Sequence, residues 1–152
     1  MTLTKILKPT SVKVPLEGKD KNSLITELVD LLDANGLLPN RDAALDAVML
    51  REQMQSTGIG SGIAVPHGKC NTVKELIMAI GITAEPIDFS SVDEMPVSIV
   101  ILLISPVGQT GPHIQALARI SRLMLDQSFK RQLEQAHSAE QLYELLSSRE
   151  KE

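Results

Sequence analysis

A chain of 152 residues is the size of one ordinary domain and can bury enough of itself to hold without staples. Its 43% apolar content includes only Phe89, Phe129 and Tyr143 as aromatics, so the core is aliphatic and little is left to stack on nucleic-acid bases. A formal net charge of -4 argues further against a phosphate-backbone partner.

The chain opens on an irregular or extended segment through Leu16, and residues 17–20 read as a turn. Over residues 23–34 Leu24, Ile25, Leu28, Leu31 and Leu32 recur at helical spacing, and Asn35-Gly36 stops the helix. Asn40 is placed to cap a second helix running to about Gln55, with Ala44, Leu45, Val48 and Met49 on its inner face. Strands follow over residues 62–65, 76–83 and 97–104. The last is so continuously apolar and β-branched that both its faces must be covered. Between the latter two, Glu85-Pro86 and residues 90–94 read as loop. After Ser105-Pro106, a polar loop over 108–111 leads to Pro112 in the first turn of a helix carrying Ile114, Leu117, Ala118, Ile120 and Leu123. Ser128 and Ser138 are placed to cap two more helices, Ser138 with Gln141 in the capping-box pattern. Helices alternating with buried strands give an α/β architecture, a sheet covered on both faces.

No repeat, low-complexity tract or linker divides the sequence, so a single stand-alone domain over 1–152 is expected. The lone Cys70 cannot close an internal disulfide, which fits a reducing compartment. The N-terminus lacks a signal-peptide layout, and the longest apolar run, Ile99 to Ile104, is far short of the roughly 20 residues that span a bilayer. The expected location is the cytoplasm.

The segment richest in chemistry is Ser56-Thr57-Gly58-Ile59-Gly60-Ser61-Gly62-Ile63-Ala64-Val65-Pro66-His67-Gly68-Lys69. Its closely spaced glycines permit positive φ and close approach, and Pro66 stiffens the backbone just before a single imidazole. Several chemistries fail on spacing. A P-loop would need Gly where Ile63 stands and a hydroxyl residue where Cys70 stands, and Ser61 lacks the flanks of a nucleophile elbow. His67 and Cys70 have the gap of half a zinc site, but only His113 and His137 could complete it, and His137 reads as a surface residue beside a helix cap. No metal is expected, and Cys70 reads as a half-buried thiol.

A neutral imidazole is a good nucleophile toward phosphorus, and a phosphoryl group brings nearly two negative charges to be met by amides, hydroxyls and a cation. The backbone of Gly58, Gly60 and Gly62 can offer amides, Thr57 and Ser56 hydroxyls, and Arg51 a guanidinium. A second ring, His113, falls where the loop after the central strand meets a helix N-terminus.

Arg51-Glu52, the run from Ser56 to Lys69, Pro86-Ile87-Asp88-Phe89, Pro96-Val97 and His113-Ile114-Gln115-Ala116-Leu117 together resemble enzyme IIA domains of the fructose/mannitol class of the sugar phosphotransferase system. The nitrogen-regulatory subgroup is also similar, near Gln109-Thr110 and Glu140-Gln141-Leu142-Tyr143. The resemblance implies a mixed, mostly parallel sheet sandwiched between helices, the mannitol-type enzyme IIA fold. It implies that His67 takes a phosphoryl group from the phosphocarrier HPr and passes it to an enzyme IIB cysteine, with Arg51 stabilising the group and His113 assisting. No metal or organic cofactor is implied, because the donor already carries an activated phosphoryl group. A rim with Asp88, Asp93 or Glu94 would suit a basic partner face. A regulatory protein that holds partners according to its phosphorylation state is the alternative, and a small hydrolase using His67 and His113 is the weakest reading.

Overall fold

In the computed structural model, which describes residues 2–54 and 56–151, the chain runs through six strands and five α-helices among the described residues. A 3-10 turn at Leu3–Lys5 leads into β1 (Leu7–Leu16), then α1 (Lys21–Ala34) and α2 (Arg41–Met54). Three short strands follow, β2 (Gly58–Gly60), β3 (Ile63–Ala64) and β4 (His67–Lys69), and two long ones, β5 (Ile77–Ile87) and β6 (Val97–Ser105). Helices α3 (Thr110–Met124), α4 (Gln127–Glu134) and α5 (Ala139–Glu150) complete the chain. The strands form one sheet in the order β1-β5-β6-β3-β2, with β4 also on β6. The β1–β5, β3–β6 and β4–β6 pairs are parallel, and β2–β3 and β5–β6 antiparallel, so the sheet is mixed and mostly parallel.

The doubly covered strand is the centre of the molecule. Ile99, Ile101 and Leu103 of β6 pack with Ala116 and Ile120 of α3, Leu133 of α4 and Leu142 of α5. Val100, Leu102 and Ile104 face the other way, against Leu24, Leu28 and Leu32 of α1 and Val48 of α2. Burial of each such side chain stabilises by roughly 1.5–3 kcal/mol, so β6 organises both layers at once.

Several boundaries differ from the sequence reading, each for a local reason. Asp20 caps α1, accepting from the Ser23 N–H, so the helix begins before the expected Ser23. Asn40 caps α2 as expected, its Oδ1 3.0 Å from the Ala43 nitrogen; the expected end at Gln55 lies outside the described residues. The extended N-terminal segment is a full strand on the sheet edge. Gly58–Gly60, for which no element was expected, forms β2, hairpinned onto β3, and the strand expected over 62–65 shortens to Ile63–Ala64. Strand β5 continues through Glu85-Pro86, expected as loop. Its pairing with β1 ends at Thr83, so the missing N–H of Pro86 breaks no rung there. Asp126, not Ser128, caps α4, and Ser138 caps α5 while the Gln141 side chain takes the N–H of His137, one residue before the cap. Ile114 and Ala118 are exposed on α3; His113, Ala116, Ile120, Leu123 and Met124 form its inner face. No helix among the described residues is long and apolar enough to cross a membrane.

Candidate functional site

Strands β3 and β4 are one path interrupted at Val65-Pro66. Ile63 pairs with Ile99 and His67 with Leu103 at the same offset, and the Pro66 carbonyl accepts the Leu103 N–H at 3.0 Å across the gap. The two-residue period of a strand therefore puts His67 on the face of Ile63 and Val65, beneath α3. Gly68 faces the other layer, where α2 lies directly on its bare Cα. That contact brings Arg51, one turn along α2 from Ala47 and Val48, to the same cleft as His67.

The His67 ring is held by its own backbone. Nδ1 lies 2.7 Å from the Val65 carbonyl oxygen, which can only accept, so Nδ1 carries the hydrogen and Nε2 keeps a lone pair. The His113 ring lies 5.3 Å away, centroid to centroid, tilted by 57°. A cleft of about 260 Å³ beside His67 is lined by Arg51, Thr57, Ile59, Val65 and Leu117, among others. Burial pushes His67 below the ordinary histidine range, aided by the Arg51 charge and opposed by the Val65 hydrogen bond and by Glu52. Burial also lowers His113, helped by His67 and Lys69. Both rings are thus held toward the neutral form, the one able to use a nitrogen lone pair.

The sequence of residues 5–149 matches the family model described as phosphoenolpyruvate-dependent sugar phosphotransferase system, EIIA 2. The chain belongs to this EIIA family. It is 33% identical over 151 residues to the fructose-specific EIIABC component of Bacillus subtilis, 99% of this chain but 24% of that protein, so it spans about a quarter of that relative. It is 30% identical to the nitrogen regulatory protein IIA-Ntr of Neisseria meningitidis, with a TM-score of 0.87 over 95% of this chain and 98% of that one. The enzyme IIA of a complex of mannitol enzymes IIA and phosphorylated IIB from Escherichia coli has the same fold, at TM-score 0.79, 20% identity and 93% and 99% coverage.

In this EIIA chain the expected site residues separate into two groups. His67, Arg51 and Thr57 border one cleft, with His113 beside the first ring. Gly58, Gly60 and Gly62 do not line it. Gly60 and Gly62, at φ 94° and 83°, flank Ser61 in the turn between β2 and β3, where a Cβ would be strained. Ser61 is pinned there by its N–H to Asp93 at 2.9 Å and by the Lys130 ammonium on its carbonyl at 2.6 Å. The Gly58 N–H donates to Ser56 Oγ, and a Cβ on Gly58 would collide with Ser91. These glycines thus build the β2–β3 hairpin beside the cleft, and the Gly58 amide is already engaged by Ser56. Thr57 lines the cleft, with both its N–H and its hydroxyl donating to Glu52. The Ser56 hydroxyl is taken up by the Phe89 carbonyl at 2.7 Å.

Three residues beyond the sequence assignment shape this site. Glu52 is buried, holds Thr57, and is paired with Lys21 at 3.2 Å. Lys69, whose ammonium donates to Thr110 Oγ1 at 3.2 Å, brings positive charge to His113. Ser105, fully buried, sits 2.7 Å from His113 Nδ1. Glu52 and Lys69 belong to the recognised motifs, but no spacing rule assigns them partners. The only trace of Ser105 in the sequence is a hydroxyl closing an otherwise apolar strand. Elsewhere, Cys70 is buried with Sγ 3.0 Å from Thr72 Oγ1, and His137 is exposed. A larger hollow of about 720 Å³ lies along α1, away from both rings, and its Lys13 and Glu27 neutralise each other at 2.8 Å.

Proposed function

We propose that this chain is a phosphohistidine carrier of the sugar phosphotransferase system, accepting a phosphoryl group on Nε2 of His67 from HPr and passing it to an enzyme IIB domain. One observation carries the reading: the Val65 carbonyl ties up Nδ1–H and leaves a lone pair on Nε2 in a cleft bordered by Arg51. In the forward step the Nε2 lone pair forms a new N–P bond as the donor's N–P bond breaks, and the donor ring departs with that bond's electrons. In the second step an acceptor thiolate forms S–P while the His67 N–P bond breaks. Neither step needs an external base, so positioning and charge stabilisation do the work. Arg51 meets the phosphoryl charge, His113 assists from the neighbouring ring, and Thr57, held by Glu52, shapes the wall. Ile59, 49% exposed on the cleft edge, suits a protein surface closing over the site. A cytoplasmic location follows from such donors and acceptors.

Incubation with phosphoenolpyruvate, enzyme I and HPr tests this. An acid-labile, base-stable label that disappears in His67→Ala is expected; no label, or one that persists in that variant, rejects the assignment. A second reading rests on the likeness to IIA-Ntr over nearly the whole of both chains. On it the phosphorylated and free forms hold different protein partners. Rapid discharge of the labelled protein to a purified IIB domain supports the carrier role, and a long-lived label with state-dependent partner capture supports the regulatory one.

A further inference from the structure

We propose that Ser105 is a positioning residue that fixes His113 as its Nε2–H tautomer, so that the two rings of the site are chemically complementary. The proposal rests on the carrier reading of His67. Ser105 ends β6, is 0% exposed, and places Oγ 2.7 Å from His113 Nδ1. Among the described residues that ring nitrogen is the one hydrogen-bond partner of the Ser105 hydroxyl; the Ser105 carbonyl is separately occupied by the Cys70 N–H at 2.9 Å.

A buried hydroxyl carries one hydrogen that must find an acceptor, and leaving it without one is unfavourable. If His113 Nδ1 bore a hydrogen, it would donate to Oγ and the serine hydrogen would be stranded in the core. If Nδ1 is bare, Oγ–H donates to it, both groups are satisfied, and the ring hydrogen stands on Nε2. Burial, His67 and Lys69 keep this ring toward its neutral state, in which the tautomer is defined.

The backbone imposes the opposite choice on His67, whose Nδ1–H faces the Val65 carbonyl at 2.7 Å. Two chemically identical side chains 5.3 Å apart thereby become different reagents. His67 presents a lone pair to phosphorus, and His113 presents an N–H able to hydrogen-bond a phosphoryl oxygen. No proton changes hands: His113 in this tautomer has no free lone pair with which to act as a base. The assisting role is that of a neutral donor.

The test is long-range proton–nitrogen NMR of uniformly labelled histidine in the unphosphorylated full chain at neutral pH. The expected spectrum has His67 protonated on Nδ1 and His113 on Nε2. In Ser105→Ala the His113 nitrogens should shift toward a mixed population while those of His67 stay put, and phosphorylation should slow on the order of tenfold. Ser105→Thr, which keeps the hydroxyl, should restore the wild-type nitrogen pattern. A wild-type His113 protonated on Nδ1, or His113 nitrogens unmoved by Ser105→Ala, would overturn the proposal. The wild-type spectrum needs no variant and no phosphoryl donor. Failure of His67 to label would therefore strike the carrier reading, and the assisting role of His113 with it, while leaving the tautomer assignment standing; a wrong tautomer would strike this proposal alone.

Discussion

A Cβ on Gly68 would stand 2.9 Å from the carbonyl carbon of Ala47, closer than side-chain carbons come to backbone. The missing side chain sets how near α2 lies to β4, and so where Arg51 meets the His67 cleft. Gly68→Ala should push the helix off the strand, costing about 1–3 kcal/mol in urea unfolding. It should also slow labelling of His67, although Arg51 and His67 are both intact. An alanine variant with wild-type stability and labelling would refute this account of the contact.

Burial lowers both histidines from the ordinary range. A lowered ring stays neutral where a free imidazole of pKa about 6.5 is half protonated. Acceptance on His67 should therefore be flat above about pH 6.5 and fall only on the acid side of that value. The same shift fixes the sign for stability. As pH drops below about 6.5 the unfolded chain binds protons first, so unfolding free energy falls, levelling off below the folded-state values. Urea titrations across this interval, with and without His67→Gln, read the contribution as a difference in slope. A steeper acid-side loss in the variant than in the wild type would reverse the sign.

Glu52, its side chain 4% exposed, is the acceptor for the Thr57 N–H and hydroxyl and the partner of Lys21. Glu52→Ala strands all three and should cost about 2–4 kcal/mol by chemical denaturation. Glu52→Gln keeps an acceptor for Thr57 and loses only the charge, so its cost should fall between wild type and alanine. Equal costs for the two variants would mean that the hydrogen bonds to Thr57 contribute nothing.

Near the C-terminus, the Glu150 carboxylate accepts the Leu3 N–H at 2.7 Å, the Thr4 N–H at 2.9 Å and Arg119 Nε at 3.3 Å. One buried group thus joins the N-terminal turn, α5 and α3. Glu150→Ala should destabilise by about 1–3 kcal/mol and speed hydrogen exchange at the Leu3 and Thr4 amides. Unchanged exchange at those amides would show that the clasp is not what holds the N-terminal turn.

Helices and the central strand were legible because their signals are local: the spacing of Leu24, Leu28 and Leu32, the Asn40 cap, the apolar run of β6. Hairpin β2–β3 and the reach of β5 past Pro86 depend on which edge is already paired, which no single segment carries. The site divides in the same way. His67, Arg51 and His113 announced themselves through residue type and motif, and they do gather. Whether an amide or hydroxyl in the glycine run is free depends on distant acceptors such as Glu52, Phe89 and Asp93, so the expected cradle could not be checked from sequence.

The unbroken offset of β3 and β4 along β6 anchors the His67 ring to the most deeply packed ladder of the sheet, whereas Ile59 and Ile114 lie at the surface. The rim can accordingly be rewritten residue by residue without displacing the His67 ring.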